Sequence, residues 1–130
     1  MRRPRLKRIL LVDDDPDIQT VASLALGSFG GFTVKACGSA REALDSAPRF
    51  KPDLILLDFV MPGMSGARAL RAFRALPDIS TVPIVFITAR VQPKEIRAYR
   101  KMGSVDVIAK PFEAVTLAQT VRTIWKRHHA

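Results

Sequence analysis

Cysteine is almost absent from this sequence of 130 residues, where Cys37 stands alone. No disulfide framework and no four-cysteine metal site can be built from it, and a cytoplasmic protein is the expectation. No apolar run approaches about 18 residues, so no segment reads as a membrane span and no membrane insertion is expected. The start from Met1 to Arg8 is basic, but the apolar stretch behind it breaks at Asp13, too soon for a signal peptide. Internal repeats, linkers and low-complexity tracts are missing as well. Acidic residues are few: 12 Asp and Glu stand against 21 Lys and Arg, a formal net charge of +9. That excess suits anionic partners. Much of it, however, sits on Arg2, Arg3, Arg5, Lys7 and Arg8, where a solvated basic tail is the plainer reading.

What is present is a core. Apolar residues make up 48 % of the chain, well outside disordered composition, at a length that suits one domain. Five short apolar runs, Ile9–Val12, Phe32–Ala36, Leu54–Leu57, Ile84–Ile87 and Val105–Ala109, alternate with helical patterns. Near-continuous runs of this kind read as strands of a parallel sheet covered on both faces. Asp15 caps a first helix with Pro16 at its first position, and Ile18, Val21, Ala22, Ala25 and Phe29 share its inner face up to Gly30 and Gly31. Ser39 and Glu42 have capping-box spacing for a second helix that ends before Pro48. Ser65 caps a third to about Leu76, Pro93 and Gly103 bound a fourth, and Glu113 opens a fifth with Leu117, Val121 and Ile124 inward. The pattern predicts an α/β fold: a doubly wound (βα)₅, flavodoxin-like sheet of five parallel strands in the order 2-1-3-4-5.

In such a sheet ligands bind beyond the carboxyl ends of the strands. Asp13, Asp14 and Asp15 follow the first run, Asp58 the third, Thr88 the fourth and Lys110 the fifth. Asp13 and Asp14 as turn residues alone would leave like charges uncompensated beside Asp58. A cation among them removes that repulsion, and carboxylate, carbonyl and water ligands suit Mg²⁺. A carboxylate can also be the nucleophile that forms an acyl phosphate. Phosphoryl transfer otherwise needs alignment and neutralisation of oxygen charge, which a mobile Lys110 and the Thr88 hydroxyl would supply. Taken singly, Thr88 would be an ordinary strand-end hydroxyl, Asp15 a helix cap and Cys37 a small buried hydrophobe. Trp125 is expected to pack along the fifth helix, with His128 and His129 ending the chain as a frayed terminus rather than as metal ligands.

Four segments then carry a resemblance. LLVDDDPDI at Leu10–Ile18, LLDFVMPGMSG at Leu56–Gly66, FITA at Phe86–Ala89 and AKPF at Ala109–Phe112 resemble, in order and spacing, the signatures of the response-regulator receiver domain family. The resemblance implies that Asp58 is the phosphoacceptor. It implies that Asp14, Asp58 and the backbone carbonyl of Val60 bind Mg²⁺ directly, and that Asp13 holds the ion mainly through water. Thr88 and Lys110 would contact the phosphoryl group, with a cis bond before Pro111. Met61, Pro62 and Gly66 would shape the loop after Asp58. A histidine kinase or histidine phosphotransfer protein would be the donor, and a downstream partner would bind the fourth helix, fifth strand and fifth helix. The protein would then be no enzyme beyond catalysing its own phosphorylation and dephosphorylation.

The sequence departs from the family in one respect. Receivers carry Tyr or Phe three residues before the lysine, an aromatic that swings inward as the threonine moves. Here Val107 stands there, with stiff rotamers and no ring. Val60 and Arg90 occupy positions, two after Asp58 and two after Thr88, that tune phosphoryl turnover in this family. The expected organisation is a basic tail over 1–7, the receiver over 8–127 and a short tail over 128–130, as a stand-alone switch. The alternatives are a receiver excised from a larger regulator or hybrid kinase and, more remotely, a phosphatase with Asp58 as nucleophile. The phosphatase would lack an acid two residues on, since Val60 stands there. Nucleic-acid binding is suggested by charge alone, without a helix-turn-helix or aromatic RNA-binding signature, and is not expected.

Overall fold

The computed structural model of the chain describes residues 5–130; Arg2 and Arg3 of the basic start lie outside the described residues. Five strands alternate with five helices: β1 (Arg8–Val12), α1 (Pro16–Ser23), β2 (Thr33–Cys37), α2 (Ala40–Phe50), β3 (Leu54–Asp58), α3 (Gly66–Arg74), β4 (Ile84–Thr88), α4 (Pro93–Met102), β5 (Asp106–Ala109) and α5 (Ala114–His128). All pairings are parallel and the order is β2-β1-β3-β4-β5. Alternate residues of the strands feed two cores. Leu10, Val12, Ile55, Leu57, Ile84 and Phe86 pack with α2, α3 and α4 through Ala43, Ala47, Phe73 and Tyr99. Ile9, Leu11, Leu54, Leu56, Val85 and Ile87 pack with α1 and α5 through Ala22, Leu117 and Val121. Side chains one step apart on a strand point to opposite faces, so continuous Leu and Ile runs are what a doubly covered sheet requires.

Contacts hold the described residues that precede β1 and those that end α5. Ahead of β1, Leu6 packs against the second core and the Lys7 and Arg8 amides donate to Asp53 Oδ2 at 2.9 and 2.8 Å. At the other end α5 runs through His128, and the His129 ring lies 4.0 Å from that of Trp125.

The helices depart from the sequence reading in three places. First, α1 passes at Leu24–Ser28 into a π-turn, in which the Phe29 amide donates to the Leu24 carbonyl at 3.1 Å. One extra residue per turn rotates the following side chains, a phase shift that a 3.6-residue periodicity does not contain. Leu26 therefore goes inward and Phe29, expected on the inner face, is 85 % exposed; Val21, also expected inward, lies ahead of the π-turn and is 43 % exposed. Second, α2 continues through Pro48 to Phe50 instead of ending before the proline. So close to the C-terminus the proline removes a single backbone bond. The last turn is held by Ala47 in the core and by Arg8, whose Nε donates to the Phe50 carbonyl at 2.7 Å. Third, Ser39 Oγ accepts the Glu42 amide at 3.1 Å as expected, but Glu42 returns to the Gly38 amide at 3.0 Å, one residue before the reciprocal box position.

Two glycines allow close approach. A Cβ on Gly30 would lie 2.5 Å from the Leu26 carbonyl and 3.0 Å from the Ala118 Cβ, where the end of the π-turn meets α5. A Cβ on Gly66 would lie 2.6 Å from the Phe59 Cα and 2.8 Å from the Asp58 carbonyl oxygen. The first residue of α3 thus sits directly on the backbone that follows β3, and its amide donates to the Phe59 carbonyl at 2.8 Å. Gly66→Ala is expected to push α3 outward and destabilise the fold by about 2 kcal/mol, several degrees in Tm. A thermal melt of the variant that overlays the wild-type curve would contradict this packing.

Candidate functional site

The side chains singled out in the sequence converge at the carboxyl edge of the sheet. Asp13, Asp14, Asp15, Asp58, Val60, Thr88, Ala89, Arg90 and Lys110 line one cleft of about 350 Å³. Strand register accounts for the convergence. Val12 pairs with Leu57, Asp58 with Ile87 and Thr88 with Ala109, so the next residues of β1, β3, β4 and β5 emerge side by side.

Asp13 is fully buried. Its carbonyl accepts the Gln19 side-chain amide at 2.7 Å, and its Oδ1 accepts the Asp15 amide at 2.9 Å. Its Oδ2 has no well-aligned hydrogen bond but faces the Lys110 ammonium at 2.9 Å. The same ammonium lies 3.3 Å from Asp58 Oδ2. Asp58 is 4 % exposed, and its Oδ1 accepts the Val60 amide at 3.2 Å. Asp14 is exposed at the mouth of the cleft. Carboxylate oxygens of Asp13, Asp14 and Asp58 lie within 4.8 Å of one another. The buried Asp13 oxygen and this all-oxygen, three-carboxylate donor set fit a hard divalent cation.

Thr88 is buried, and its Oγ1 accepts the Arg90 amide at 3.2 Å. The Lys110–Pro111 peptide bond is cis, and the Lys110 amide donates to the Thr88 carbonyl at 3.0 Å. Asp15 caps α1, with its carboxylate accepting the Asp17 amide at 2.9 Å. Val60 is 68 % exposed on the rim. Val107 is half-buried and packs against the core that contains Tyr99 and Phe86.

Burial opposes the ionised form of Asp58 and raises its pKa above the ordinary carboxylate value; the Asp13 charge raises it further, and Lys110 and the Val60 amide only partly offset both. Burial also works against the charged form of Lys110. Its contacts with Asp13 and then Asp58 outweigh that, and its pKa is held above normal. The site is therefore electrostatically stressed, with two buried carboxylates and one ammonium.

Two contributors escaped the sequence reading. Gln19 looks like any polar residue of an amphipathic helix, yet it clamps the Asp13 backbone. Tyr99 is the single tyrosine of the chain and lies on the inner face of α4, 3 % exposed; nothing in its spacing distinguishes it from a core residue.

Known proteins share this arrangement of chain. The family model for the response regulator receiver domain matches residues 9–122. The DNA-binding response regulator MtrA of Mycolicibacterium smegmatis is 35 % identical over 122 residues, which is 94 % of this chain and 52 % of that protein. The chain thus spans about half the length of the curated relatives it matches. Chemotaxis protein CheY4 of Vibrio cholerae superposes with a TM-score of 0.84 at 28 % identity, covering 92 % of this chain and 99 % of that one. The receiver domain of sensor histidine kinase PA1611 of Pseudomonas aeruginosa, solved with a magnesium ion coordinated in its active site cleft, gives 0.80 at 32 % identity over 92 % and 98 %.

The raised pKa of Asp58 has a sign that can be tested. A folded-state pKa above the unfolded one favours the fold in acid, below about 4, and that contribution is lost as pH rises through the folded value. At neutral pH without divalent ions the ionised Asp58 then weakens the fold. Asp58→Asn should raise Tm in EDTA at pH 7 by a few degrees, on the order of 1 kcal/mol, with the gain shrinking near pH 4. A variant that melts below wild type at pH 7 would contradict the electrostatic account.

Proposed function

This chain belongs to the response regulator receiver domain family, and from that premise we propose that it is the phosphoacceptor switch of a two-component or phosphorelay system, phosphorylated on Asp58. The observation that carries the reading is the buried Asp58 carboxylate, flanked by two further aspartates and 3.3 Å from the Lys110 ammonium. A nucleophile, a cation site and a charge-neutralising lysine in one cleft are the parts that phosphoryl transfer requires.

A histidine kinase or phosphotransfer protein would present phosphohistidine at the cleft. One Asp58 oxygen attacks phosphorus, an O–P bond forms, the P–N bond breaks, and the released imidazole takes up a proton. Asp13, Asp14, Asp58 and the Val60 carbonyl would hold Mg²⁺, which when bound neutralises the oxygens of the phosphoryl group. Lys110 contributes a second positive charge from the β5 side. The Thr88 hydroxyl donates to a phosphoryl oxygen once one is present, while its lone pairs can still receive the Arg90 amide. Loss of the phosphoryl group by attack of water on phosphorus regenerates the carboxylate, so the chain acts on its own phosphoryl group rather than turning over an external substrate. Among the described residues no helix is long and apolar enough to cross a membrane. We place the protein in the cytoplasm beside its donor. A second reading, a receiver within a longer regulator or hybrid kinase, is favoured by the half-length match to MtrA. The phosphoryl chemistry is the same in both.

For output we propose the α4–β5–α5 face and an acidic protein partner. Lys94, Arg97, Arg100 and Lys101 on α4 and Lys126 and Arg127 on α5 are exposed. Arg122, also on α5, is turned to the other side of the molecule. Its guanidinium donates to the Gly30 carbonyl at 2.6 Å and lies 5.1 Å from the Phe32 ring.

With acetyl phosphate and Mg²⁺, intact mass should show a single phosphoryl adduct on wild type and none on Asp58→Asn. An equal adduct on that variant would remove Asp58 from its role. In a binding titration with the partner, Lys94→Glu combined with Arg97→Glu should lower affinity about tenfold at low salt, less at high salt. Unchanged affinity would leave these charges as solvation alone.

A further inference from the structure

The backbone of Arg90 is held on both sides of its Cα, in two consecutive peptide units. Its N–H donates to Thr88 Oγ1 at 3.2 Å, and its carbonyl accepts the Tyr99 hydroxyl at 3.0 Å. Thr88 lines the cleft, and Tyr99 belongs to α4. The Tyr99 ring is wedged between Phe59, the residue after Asp58, at 4.7 Å between centroids, and Phe86 of β4 at 5.5 Å. Phe59 and Phe86 also meet edge to face at 5.1 Å. A hydrogen-bonded line thus runs from the Thr88 hydroxyl through the Arg90 backbone to α4. A packed aromatic cluster ties the same tyrosine to the backbone next to Asp58. At Val107 the neighbouring strand offers no ring and no hydroxyl for this purpose.

We infer that Tyr99 is the positioning residue that couples the phosphoryl site to α4: the Thr88–Arg90–Tyr99 hydrogen-bonded line carries the movement of Thr88 to the helix. The inference rests on Asp58 being the phosphoacceptor. When the Thr88 hydroxyl turns toward a phosphoryl oxygen, the Arg90 amide bonded to it moves with it. The Arg90 carbonyl belongs to the following peptide plane, hinged to the first at the Arg90 Cα, and it is displaced as that Cα moves with the amide. The Tyr99 hydroxyl then follows, shifting α4, or gives up the bond and repacks against Phe59 and Phe86. Both outcomes change the surroundings of the Tyr99 phenol. Coupling of this kind requires an element with two arrangements that the site biases, and we assign that part to the Arg90 backbone with its two bonds. The plainer alternative is that the phenol only satisfies a neighbouring carbonyl, in which case Tyr99 would contribute stability without responding to the state of Asp58.

As the chain has one tyrosine, isotope labelling at the ring Cζ yields one resonance to follow. Wild type and Tyr99→Phe are compared by NMR before and after addition of Mg²⁺ and beryllofluoride, a phosphoryl mimic. The amides of Asp58 to Val60 and Thr88 to Arg90 report loading of the site. With the site loaded, the wild-type Tyr99 Cζ resonance should shift, as should the amides from Ile96 to Met102. In Tyr99→Phe, which keeps the ring, the site amides should still respond while those from Ile96 to Met102 lose most of their shift. A loaded site with a stationary Cζ resonance overturns the coupling and leaves the phosphoacceptor reading intact. So does a Tyr99→Phe variant whose α4 amides respond as fully as wild type. Site amides that do not respond at all remove the phosphoacceptor reading, and the coupling falls with it.

Discussion

Asp13 and Asp58 lie side by side, both buried, at the ends of adjacent strands, and the Lys110 ammonium touches both. Two carboxylates in a poorly solvated site repel each other, and each has given up hydration. The lysine offsets part of this, but it starts from β5, two strand spacings from β3. That is about 10 Å of sheet, a distance that only a long side chain crosses. The order of the strands, the register that brings their ends level and the length of one lysine are therefore coupled requirements. Burial still dominates at Asp58, whose pKa stays raised despite the ammonium. The edge remains short of positive charge, and that shortage is what a divalent cation would relieve.

The rest of the fold holds this edge in place. Strand β3 is buried at every position and cannot shift without moving both cores. On one side Gly66 lets α3 rest against the backbone that follows Asp58. On the other, Gln19 of α1 fixes the Asp13 carbonyl, and the Asp13 carboxylate in turn organises the Asp15 amide at the start of that helix. The loop after β4 is held differently, through side-chain bonds from Thr88 and Tyr99 to the backbone N–H and carbonyl of a single residue, Arg90. Few buried apolar contacts fix that segment, and Ala89 to Gln92 are exposed. It is the part of the cleft whose geometry can change without disturbing a core.

The surface divides by charge and apolarity. The α4 and α5 side carries exposed lysines and arginines. The α1 and α5 side presents Val21, Leu24, Phe29 and Val115, all exposed, around a groove that Arg122 also lines. The π-turn is responsible for part of this, because it turns Phe29 out while Leu26 goes in.

The sequence by itself determined the architecture and the membership of the site. Apolar runs of four or five residues between amphipathic stretches leave few folds open, and parallel sheets place their ligand edge where the runs end. Asp13, Asp14, Asp58, Thr88 and Lys110 were therefore legible as neighbours, each being the residue next to or at the end of a strand. Local signals also held where they depend on near neighbours, as with Asp15 capping α1, Ser65 capping α3 and Gly103 closing α4 with a φ of 116°. What only the tertiary structure decided depends on contacts between distant segments. The phase of α1 beyond Leu24, the passage of α2 through Pro48 and the direction of Arg122 follow from what each helix meets on the sheet or on its neighbour, which periodicity does not encode. The same holds for Tyr99. Its spacing marks it as buried, but its hydroxyl acquires a role only because the fold brings the Arg90 carbonyl within 3.0 Å.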